Sequence, residues 1–242
     1  NSNDYIEILI NNQKLLEYRT HRIAHARNEL LKYTREFHSD SDFIIAMDCD
    51  EVCSYPINTE VLKYHLELDN WDGLSFNRHG LPKGVGRSRA EAEKDKKAAR
   101  YENYDIWALL YEPFIHHCHS YNGNISIVHK MREDITNKLN KLKKGELFEC
   151  YSAFNGFSIY RKEKFLNCKY DGETQQYFSN EKIEKMLKFF QSEYGLNIKI
   201  NYNGVDKGQG GGKQICEHIG FHMDAIRTNN AKIRISGERI FN

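Results

Sequence analysis

Three acidic side chains stand within four positions directly after the apolar stretch FIIAM: Asp48, Asp50 and Glu51. Carboxylates this close repel one another unless a positive charge lies among them. One source of that charge is the N-terminal dipole of a nearby helix, which the carboxylates would cap. Another is a divalent cation, because hard cations such as Mn²⁺ and Mg²⁺ prefer carboxylate oxygens. The pattern therefore predicts either a helix cap or a metal-binding D-x-D pair.

The acidic stretch lies among elements that alternate between helix and strand. Apolar residues at helical spacing predict helices over 22–38 and 58–68. Short apolar runs bounded by polar residues predict buried strands over 42–48 and 71–77. This order favours an α/β sheet with helices on its faces. In such sheets ligands bind beyond the carboxyl ends of the strands, which is where the acidic stretch lies.

The remaining segments complete one domain over residues 1–242, without an internal repeat or a clear linker. Glycines followed by charges over 78–103 predict a mobile loop or a solvated helical excursion, which is either a surface insertion or a flexible loop at the active site. The glycine-rich stretch over 204–214 predicts either a flexible lid that closes over the donor or a plain disordered loop. The other predicted elements are a helix over 4–18, a segment over 124–150 that is mostly a charged helix, a strand with a glycine within 151–166, a helix over 180–195 and a strand over 196–202.

Composition and charge exclude several classes of protein. The 242 residues carry 35 basic and 34 acidic side chains, so no bulk positive charge favours nucleic acid or an anionic membrane. No apolar run approaches the roughly 20 residues of a membrane-spanning helix, and no signal peptide opens the sequence. Six scattered cysteines are typical of reduced thiols rather than of a disulfide framework. We therefore expect a globular cytoplasmic protein without nucleic-acid partners or a membrane-spanning segment.

The run HHCH at 116–119 has metal-binding side chains but not the spacing of a zinc site. Adjacent residues of a strand or helix point in different directions, so four consecutive side chains cannot all reach one ion. No C-x-x-C pair accompanies them, and we expect a polar loop that follows a strand. Cys216 is expected to pack rather than to bind metal. The sequence also has no G-x-S-x-G elbow and no P-loop.

Six sequence blocks, taken in order, resemble the GT-A glycosyltransferases. They are RTHRIAHARNELL, DFIIAMDCDEV, WDGLSFN, YDIWALL, AFNGFSIYRKEKF and CEHIGFH. The sequence is similar in particular to small metal-dependent enzymes of giant DNA viruses and to fungal capsule mannosyltransferase-like proteins, which carry an R-I-A-x-x-R-N helix before the D-x-D. The resemblance covers nearly the whole chain. It implies a GT-A, Rossmann-like mixed sheet flanked by helices, and a single GT-A domain.

The resemblance also implies an activity and a cofactor. The protein would transfer a sugar from a nucleotide-sugar donor to a hydroxyl acceptor, for example on a glycan. Mn²⁺ or Mg²⁺ would act as a Lewis acid on the diphosphate leaving group. A viral origin, which the resemblance suggests, would place the protein in the cytoplasm of the host.

Single residues receive roles from the same resemblance. Asp50 would be the principal metal ligand, with Asp48 directed at the ribose or reaching the metal through water. A histidine near the C-terminal end completes the metal site in this family; His218 fits that role slightly better than His222, which would then contact the diphosphate. The expected nucleotide contacts are Arg22, Arg27 and Asn28, the residues flanking the sugar are Asp105 and Trp107, and the acceptor contacts are Phe154, Asn155 and Gly156.

The general base is left open by the sequence. An inverting transferase needs a carboxylate that accepts the proton of the acceptor hydroxyl, and the candidates are Asp105, Asp171 and Asp224. A retaining transferase would use the leaving phosphate instead. The sequence departs from the family where no nucleotide-binding strand precedes NSNDYIEIL. We therefore expect that a segment with part of the nucleoside pocket is missing from the N-terminus.

Two other functions compete with glycosyl transfer. The first is a non-catalytic module that binds a sugar or a nucleotide. The second is a phosphatase of the haloacid dehalogenase type, whose first motif is also an apolar strand followed by D-x-D. The stretch DCDEV fits that motif, with Asp48 as the nucleophile, but no downstream acidic pair completes its magnesium site.

Overall fold

A mixed sheet flanked by helices forms the framework of the protein. The computed structural model describes residues 8–9, 16–48, 53, 55–77, 105–121, 124–201 and 214–241. Within these residues the strands are β1 (Phe43–Met47), β2 (Gly73–Asn77), β3 (Leu147–Cys150), β4 (Phe157–Arg161) and β5 (Ile233–Arg239). The helices are α1 (Arg19–Phe37), α2 (Thr59–Leu66), α3 (Ile125–Leu139), α4 (Lys162–Phe165), α5 (Asn180–Tyr194) and α6 (Glu217–Asn229). The helix predicted over 4–18 and the loops predicted over 78–103 and 204–214 lie wholly or mostly outside the described residues.

The strand order β1-β4-β2-β5-β3 brings the ends of three strands to one edge of the sheet. β4 runs antiparallel to β1 and β2, β2 runs parallel to β5, and β3 runs antiparallel to β5. β1, β2 and β5 therefore end at the same edge, which we name the carboxyl edge, and β4 begins there. Asp48 follows β1 at this edge, and its backbone N–H donates to the Gly156 carbonyl oxygen (2.9 Å), directly before β4.

Apolar side chains cover both faces of the sheet. Successive residues of a strand point to opposite faces, and β4 follows this rule. Phe157 and Ile159 pack with Trp71 and the apolar residues of α2, whereas Tyr160 packs into the larger cluster formed with α1, α3, α5 and α6. All residues of β2 are buried, so this strand lies in the middle of the core. No helix in the described ranges is both long and apolar enough to cross a membrane.

The predicted α/β class with a mixed sheet is confirmed, together with several of its elements. α1, α2, β2 and α5 lie where the sequence pattern places them. Asn58 caps α2 by accepting a hydrogen bond from the Val61 N–H (3.2 Å). The cap of α2 is therefore not supplied by Asp48, and the helix-cap interpretation is wrong for that carboxylate. Gly195, with φ 65°, ends α5 in the left-handed conformation. No disulfide joins two of the cysteines that the structure describes.

The strand predicted over 42–48 is present as β1, but the prediction that it is buried is wrong. β1 is a terminal strand in the order found among the described residues, and Ala46 is its one buried residue. Ile45 and Met47 lie on the same face and are 52% and 42% exposed. An apolar run alone does not reveal whether both faces of a strand are covered, because coverage depends on the elements that pack on it.

The prediction of a strand over 196–202 is wrong for the residues that the structure describes, because residues 196–201 form no strand. The segment 124–150, predicted to be mostly a charged helix, is helical over Ile125–Leu139 and ends in β3. The HHCH run at 116–119, predicted to be a polar loop, is mostly buried and leads into a 3₁₀ turn over Cys118–Tyr121. The burial of this run depends on tertiary packing, which no local pattern encodes.

Gly220 lets α6 approach the segment at Asp171 closely. A Cβ atom at position 220 would lie 2.5 Å from the Asp171 carbonyl oxygen and 2.8 Å from its Cβ. Both distances are well below van der Waals contact, and the carbonyl is backbone that cannot rotate away. The first turn of α6 carries Glu217 and His218, so this approach fixes where those two side chains lie.

We expect Gly220→Ala to lower the free energy of unfolding by about 1–3 kcal/mol, because overpacking a tight contact outweighs the roughly 1 kcal/mol that alanine gains inside a helix. Urea unfolding followed by circular dichroism measures the change. Glu184→Ala, at an exposed position of α5, is the control and should change stability by less than about 0.5 kcal/mol. An unchanged or raised stability of Gly220→Ala would contradict the packing argument.

Candidate functional site

Arg27 joins the acid at the end of β1 to the first residue of α6. Its Nη2 lies 3.2 Å from Asp48 Oδ1, and its Nε lies 3.1 Å from Glu217 Oε1. The side chains of Arg27 and Glu217 are 17% and 7% exposed, so their contact is largely shielded from solvent, whereas the Asp48 side chain is 35% exposed. Charge-assisted hydrogen bonds of this kind are stronger than neutral ones. They hold together α1, the end of β1 and the start of α6 at the carboxyl edge.

Two aromatic rings hold the guanidinium of Arg27 in place. Its central carbon lies 5.2 Å from the ring centroid of Phe154 and 5.6 Å from that of Tyr170, within the range of cation–π attraction. Phe154 also stacks on the His218 ring, with centroids 3.6 Å apart and planes at 16°. Asn28 holds the backbone of Tyr170 through two hydrogen bonds of 2.8 and 2.9 Å. Asn28, predicted to contact the nucleotide, therefore supports the aromatic packing around Arg27.

A third carboxyl group, Asp105, lies within the electrostatic influence of Asp48 and Glu217. Burial raises the pKa of Asp105 to about 7, and the charges of Glu217 and Asp48 add to that rise. Burial also raises the pKa of Glu217, although Arg27 opposes the shift. We name Asp48, Asp105 and Glu217 the acidic cluster. Arg27 contacts two of these three acids, so the cluster carries surplus negative charge or retains a proton near neutral pH.

Asn155 connects Asp105 to the sheet. Its Oδ1 accepts a hydrogen bond from the Asp105 backbone N–H (3.2 Å), and its Nδ2 donates to the Phe76 carbonyl oxygen (2.7 Å) in β2. Asn155 and Gly156 both have positive φ, at 58° and 82°, which turns the chain sharply before β4. The Phe154–Gly156 block, predicted to contact the acceptor, therefore also positions the partly buried Asp105.

A buried chain of hydrogen bonds runs from Ser152 to His218. Ser152 Oγ lies 2.9 Å from His222 Nδ1, and His222 Nε2 lies 3.1 Å from the Tyr160 hydroxyl. The same hydroxyl lies 3.2 Å from His218 Nδ1. Burial lowers the pKa of both histidines, that of His222 to about 3, so both rings are neutral. Each ring carries one proton, and the chain can therefore be oriented in two directions.

The direction of these hydrogen bonds decides whether Nε2 of His218 carries a proton or a lone pair. If His218 donates from Nδ1 to Tyr160, its Nε2 presents a lone pair; if Tyr160 donates to Nδ1, Nε2 carries the proton. Nε2 is buried without a hydrogen-bond partner among the described residues. It lies 3.7 Å from Glu217 Oε1. An imidazole nitrogen in this position beside a carboxylate suits either a proton or a metal ion.

The metal site predicted from the sequence extends beyond the described residues, because Asp50 is not among them. Within the described part of the chain, no group of three or more His, Cys, Asp or Glu side chains is arranged to hold a metal ion. Of the two predicted histidines, His222 has both ring nitrogens in hydrogen bonds. The geometry therefore favours His218 over His222 as a ligand, and it gives His222 the task of orienting Tyr160 and His218.

Three other predicted site residues make local structural contacts. Arg22 donates from Nη1 to two carbonyl oxygens of the segment before α1, at 2.7 and 2.8 Å. Asp171 accepts a hydrogen bond from a backbone N–H two residues further on (2.9 Å). Asp224 accepts one from the backbone N–H of Lys169 (2.9 Å). Asp105 accepts a hydrogen bond from the Ala108 backbone N–H (3.2 Å), and the charges of Glu217 and Asp48 help to raise its pKa.

Glu217, Tyr160 and Tyr170 belong to this arrangement but were not predicted as site residues. Glu217 lies in the CEHIGFH block next to His218, a predicted metal ligand, and this position could have indicated a site residue. An acid in the first turn of a helix, however, usually only compensates the helix dipole. Tyr160 lies in an apolar strand, where a tyrosine commonly packs with its hydroxyl at the rim. That these side chains turn inward depends on tertiary packing and cannot be inferred from their types alone.

The bridge through Arg27 predicts strong energetic coupling. Arg27→Met leaves Glu217 buried without its counter-charge and should lower the free energy of unfolding by about 3–5 kcal/mol. Combining it with Glu217→Met removes both charges and should recover much of this loss, with a coupling of about 1–3 kcal/mol. Urea unfolding measures all variants, and Lys32→Met at an exposed position of α1 is the control. Additive effects of the two substitutions would contradict the bridge.

Because the folded state raises the pKa of Asp105, we expect the free energy of unfolding to fall as pH rises. An unfolded aspartate has a pKa of about 3.9, whereas the folded-state pKa of Asp105 is about 7. Between these values the folded state keeps a proton that the unfolded state loses, so stability falls by up to about 1.4 kcal/mol per pH unit and the loss is complete above the folded pKa.

We therefore expect Asp105→Asn to match the wild-type protein near about pH 4 and to exceed its free energy of unfolding by about 1–3 kcal/mol at about pH 8. Asparagine does not ionise, but its side-chain oxygen can still accept a backbone hydrogen bond. Urea unfolding across this pH range measures the difference, with Asp69→Asn, an exposed acid, as the control. A difference that does not vary with pH would contradict the assignment.

In comparisons with protein-family models, with curated proteins and with solved structures, no match to this chain is found. The family resemblance of the sequence blocks therefore stays a prediction. The arrangement of Arg27, the acidic cluster and His218 at the carboxyl edge is the observation from which a function must be argued.

Proposed function

We propose that this protein is a divalent-metal-dependent glycosyltransferase, which moves a sugar from a nucleotide-sugar donor to a hydroxyl acceptor. The acidic cluster at the carboxyl edge carries the proposal. Its members come from three separate sequence blocks, and all three blocks belong to the resemblance described above. The carboxyl ends of strands are also where α/β sheets bind their ligands. A site with surplus negative charge at that edge suits a cation that in turn binds a diphosphate.

The side chains near Asp48 fit a divalent cation in their chemistry. Asp48 and Glu217 offer hard carboxylate oxygens, and His218 offers one imidazole nitrogen that has no other partner among the described residues, a donor set suited to Mn²⁺ or Mg²⁺. The proposal depends on Asp50 to complete this set. When bound, the cation would stabilise the negative charge that develops on the leaving diphosphate. Tyr160 and His222 would fix the His218 ring in the orientation that leaves Nε2 unprotonated.

Asp105 is the proposed general base for an inverting transfer. With a pKa of about 7, part of the Asp105 population is ionised at neutral pH and can accept the proton of an acceptor hydroxyl. Asp105 is chosen over Asp171 and Asp224 because it lies within the electrostatic influence of Asp48 and Glu217 in the acidic cluster. Arg27 would keep Asp48 in position and add positive charge close to the diphosphate.

A thermal-shift screen tests the donor and the metal together. UDP-, GDP- and dTDP-sugars are added with and without Mn²⁺, and the matching nucleotide should raise Tm by about 5–10 °C at a hundredfold excess over Kd, only when metal is present. Asp50→Asn and His218→Gln should each abolish most of the Mn²⁺-dependent shift, because they remove a proposed ligand. Asp69→Asn and His129→Gln, at exposed positions, should retain it.

A second assay distinguishes the competing functions. It measures the release of nucleoside diphosphate from the nucleotide-sugar that raises Tm in the screen. Metal-dependent release, with or without an acceptor, supports a transferase, whereas binding without release supports a non-catalytic module. Turnover restricted to phosphate monoesters, lost in Asp48→Asn, would identify a phosphatase. If no nucleotide stabilised the protein with Mn²⁺ and Asp50→Asn changed nothing, the proposal would be wrong.

A further inference from the structure

The buried HHCH run contains a hydrogen-bond donor whose acceptor is not supplied by the described chain. The His119 backbone N–H donates to His117 Nδ1 (3.3 Å), so this nitrogen presents its lone pair. Burial lowers the pKa of His117 well below its ordinary value, and the ring is neutral. The one proton of the neutral ring is therefore on Nε2, which makes Nε2 a donor.

Trp107 places a second donor beside the first. His117 Nε2 and Trp107 Nε1 are both buried without a hydrogen-bond partner among the described residues, and their rings lie 5.7 Å apart. His119, which is partly exposed, stacks on Trp107 at 5.4 Å and covers one face of the indole. A buried N–H without an acceptor destabilises the folded state, because it loses its hydrogen bonds to water and gains none in return. Two of them on neighbouring rings indicate an acceptor atom that comes from outside this part of the chain.

The surroundings favour a neutral ligand over an anion. Neither donor carries a positive charge. Burial and then the charge of Asp105 raise the pKa of Cys118 to about 12, so the HHCH run lies within the electrostatic influence of a carboxylate. A ligand with a second negative charge, such as phosphate or carboxylate, is disfavoured beside that group. A hydroxyl group suits this place, because it can accept from an N–H and donate to a carboxylate.

We propose that Trp107 and His117 form a subsite for the acceptor sugar, in which the indole and imidazole N–H groups donate to neutral hydroxyl oxygens beside Asp105. The identity of the ligand rests on the proposed function, since Asp105 is the proposed base for the acceptor hydroxyl. The two donors themselves rest on the hydrogen-bond geometry alone. The two N–H groups would hold the acceptor independently of the metal and the diphosphate.

The two tryptophans of the chain allow a direct test. A ¹H–¹⁵N spectrum shows one indole N–H signal for each, and Trp107→Phe assigns them. The Trp71 signal is an internal control, because its N–H donates to the His65 carbonyl oxygen in the core (2.9 Å). On titration with mannose, glucose or N-acetylglucosamine at millimolar concentrations, the Trp107 signal should move and the Trp71 signal should stay. Inorganic phosphate and acetate should move neither.

Variants of His117 identify the second donor. His117→Phe keeps a ring but removes the N–H, and it should weaken sugar binding by about fivefold or more. His117→Gln keeps a donor and should bind more tightly than His117→Phe. His129→Phe, the same exchange at an exposed position of α3, should bind as the wild-type protein does. An unmoved Trp71 signal in each variant shows that the core is retained.

The titrations are run with and without UDP or GDP plus Mn²⁺, so that the two proposals can fail separately. If no sugar moves the Trp107 signal in either condition, the subsite is wrong even where a nucleotide binds. The Trp107 N–H could instead show contact only with a bound water. Both N–H groups would then be assigned to that water as their acceptor, and the subsite would be wrong. If sugars move the signal but no nucleotide stabilises the protein, the subsite stands and the transferase proposal falls.

Discussion

The structure depends on the charge bridge from the half-buried Asp48 through Arg27 to the buried Glu217. Removing charges from water costs several kcal/mol per ion, and the cost is offset only while every partner stays in contact. The three residues stand on different elements, so a shift of α1, of the end of β1 or of α6 would break a contact and leave a charge buried. Apolar packing tolerates small rearrangements far better. The bridge therefore fixes these elements at the carboxyl edge more strictly than the surrounding core does.

The polar network beneath the bridge has its one notable gap at His218. Ser152, His222 and Tyr160 satisfy one another inside an aromatic core, and such networks hold their members rigidly when they are complete. His218 Nε2 is the exception within this network, because it is buried without a hydrogen-bond partner in the described chain. An unpartnered buried polar atom requires an explanation. Nε2 lies next to Glu217, so whatever group satisfies this nitrogen would bind at the acidic cluster.

How much of this could be predicted from the sequence depends on whether the signal is local. Helical spacing predicted α1, and D-x-D after an apolar run predicted that acids would follow β1; both depend on neighbouring residues alone. The exposure of Ile45, the inward position of Glu217 and the burial of the HHCH run depend on what packs against them, and no local pattern encodes that. The predicted bases show the same limit. Asp105, Asp171 and Asp224 are alike in sequence, and only burial beside other acids raises the pKa of Asp105 to about 7.

The repulsion among the acids has a more specific solution than a single counter-ion. Arg27 neutralises part of the charge of Asp48 and Glu217, while burial keeps a proton on much of the Asp105 population near neutral pH. If a divalent cation binds as proposed, its charge would favour the ionised form of Asp105 and release that proton. Metal binding and the ionisation of the proposed base would then be linked: the same cation that holds the diphosphate would prepare Asp105 to accept a proton. A cluster with a fixed arginine and a titrating aspartate can couple the two events, whereas one neutralised entirely by fixed charges could not.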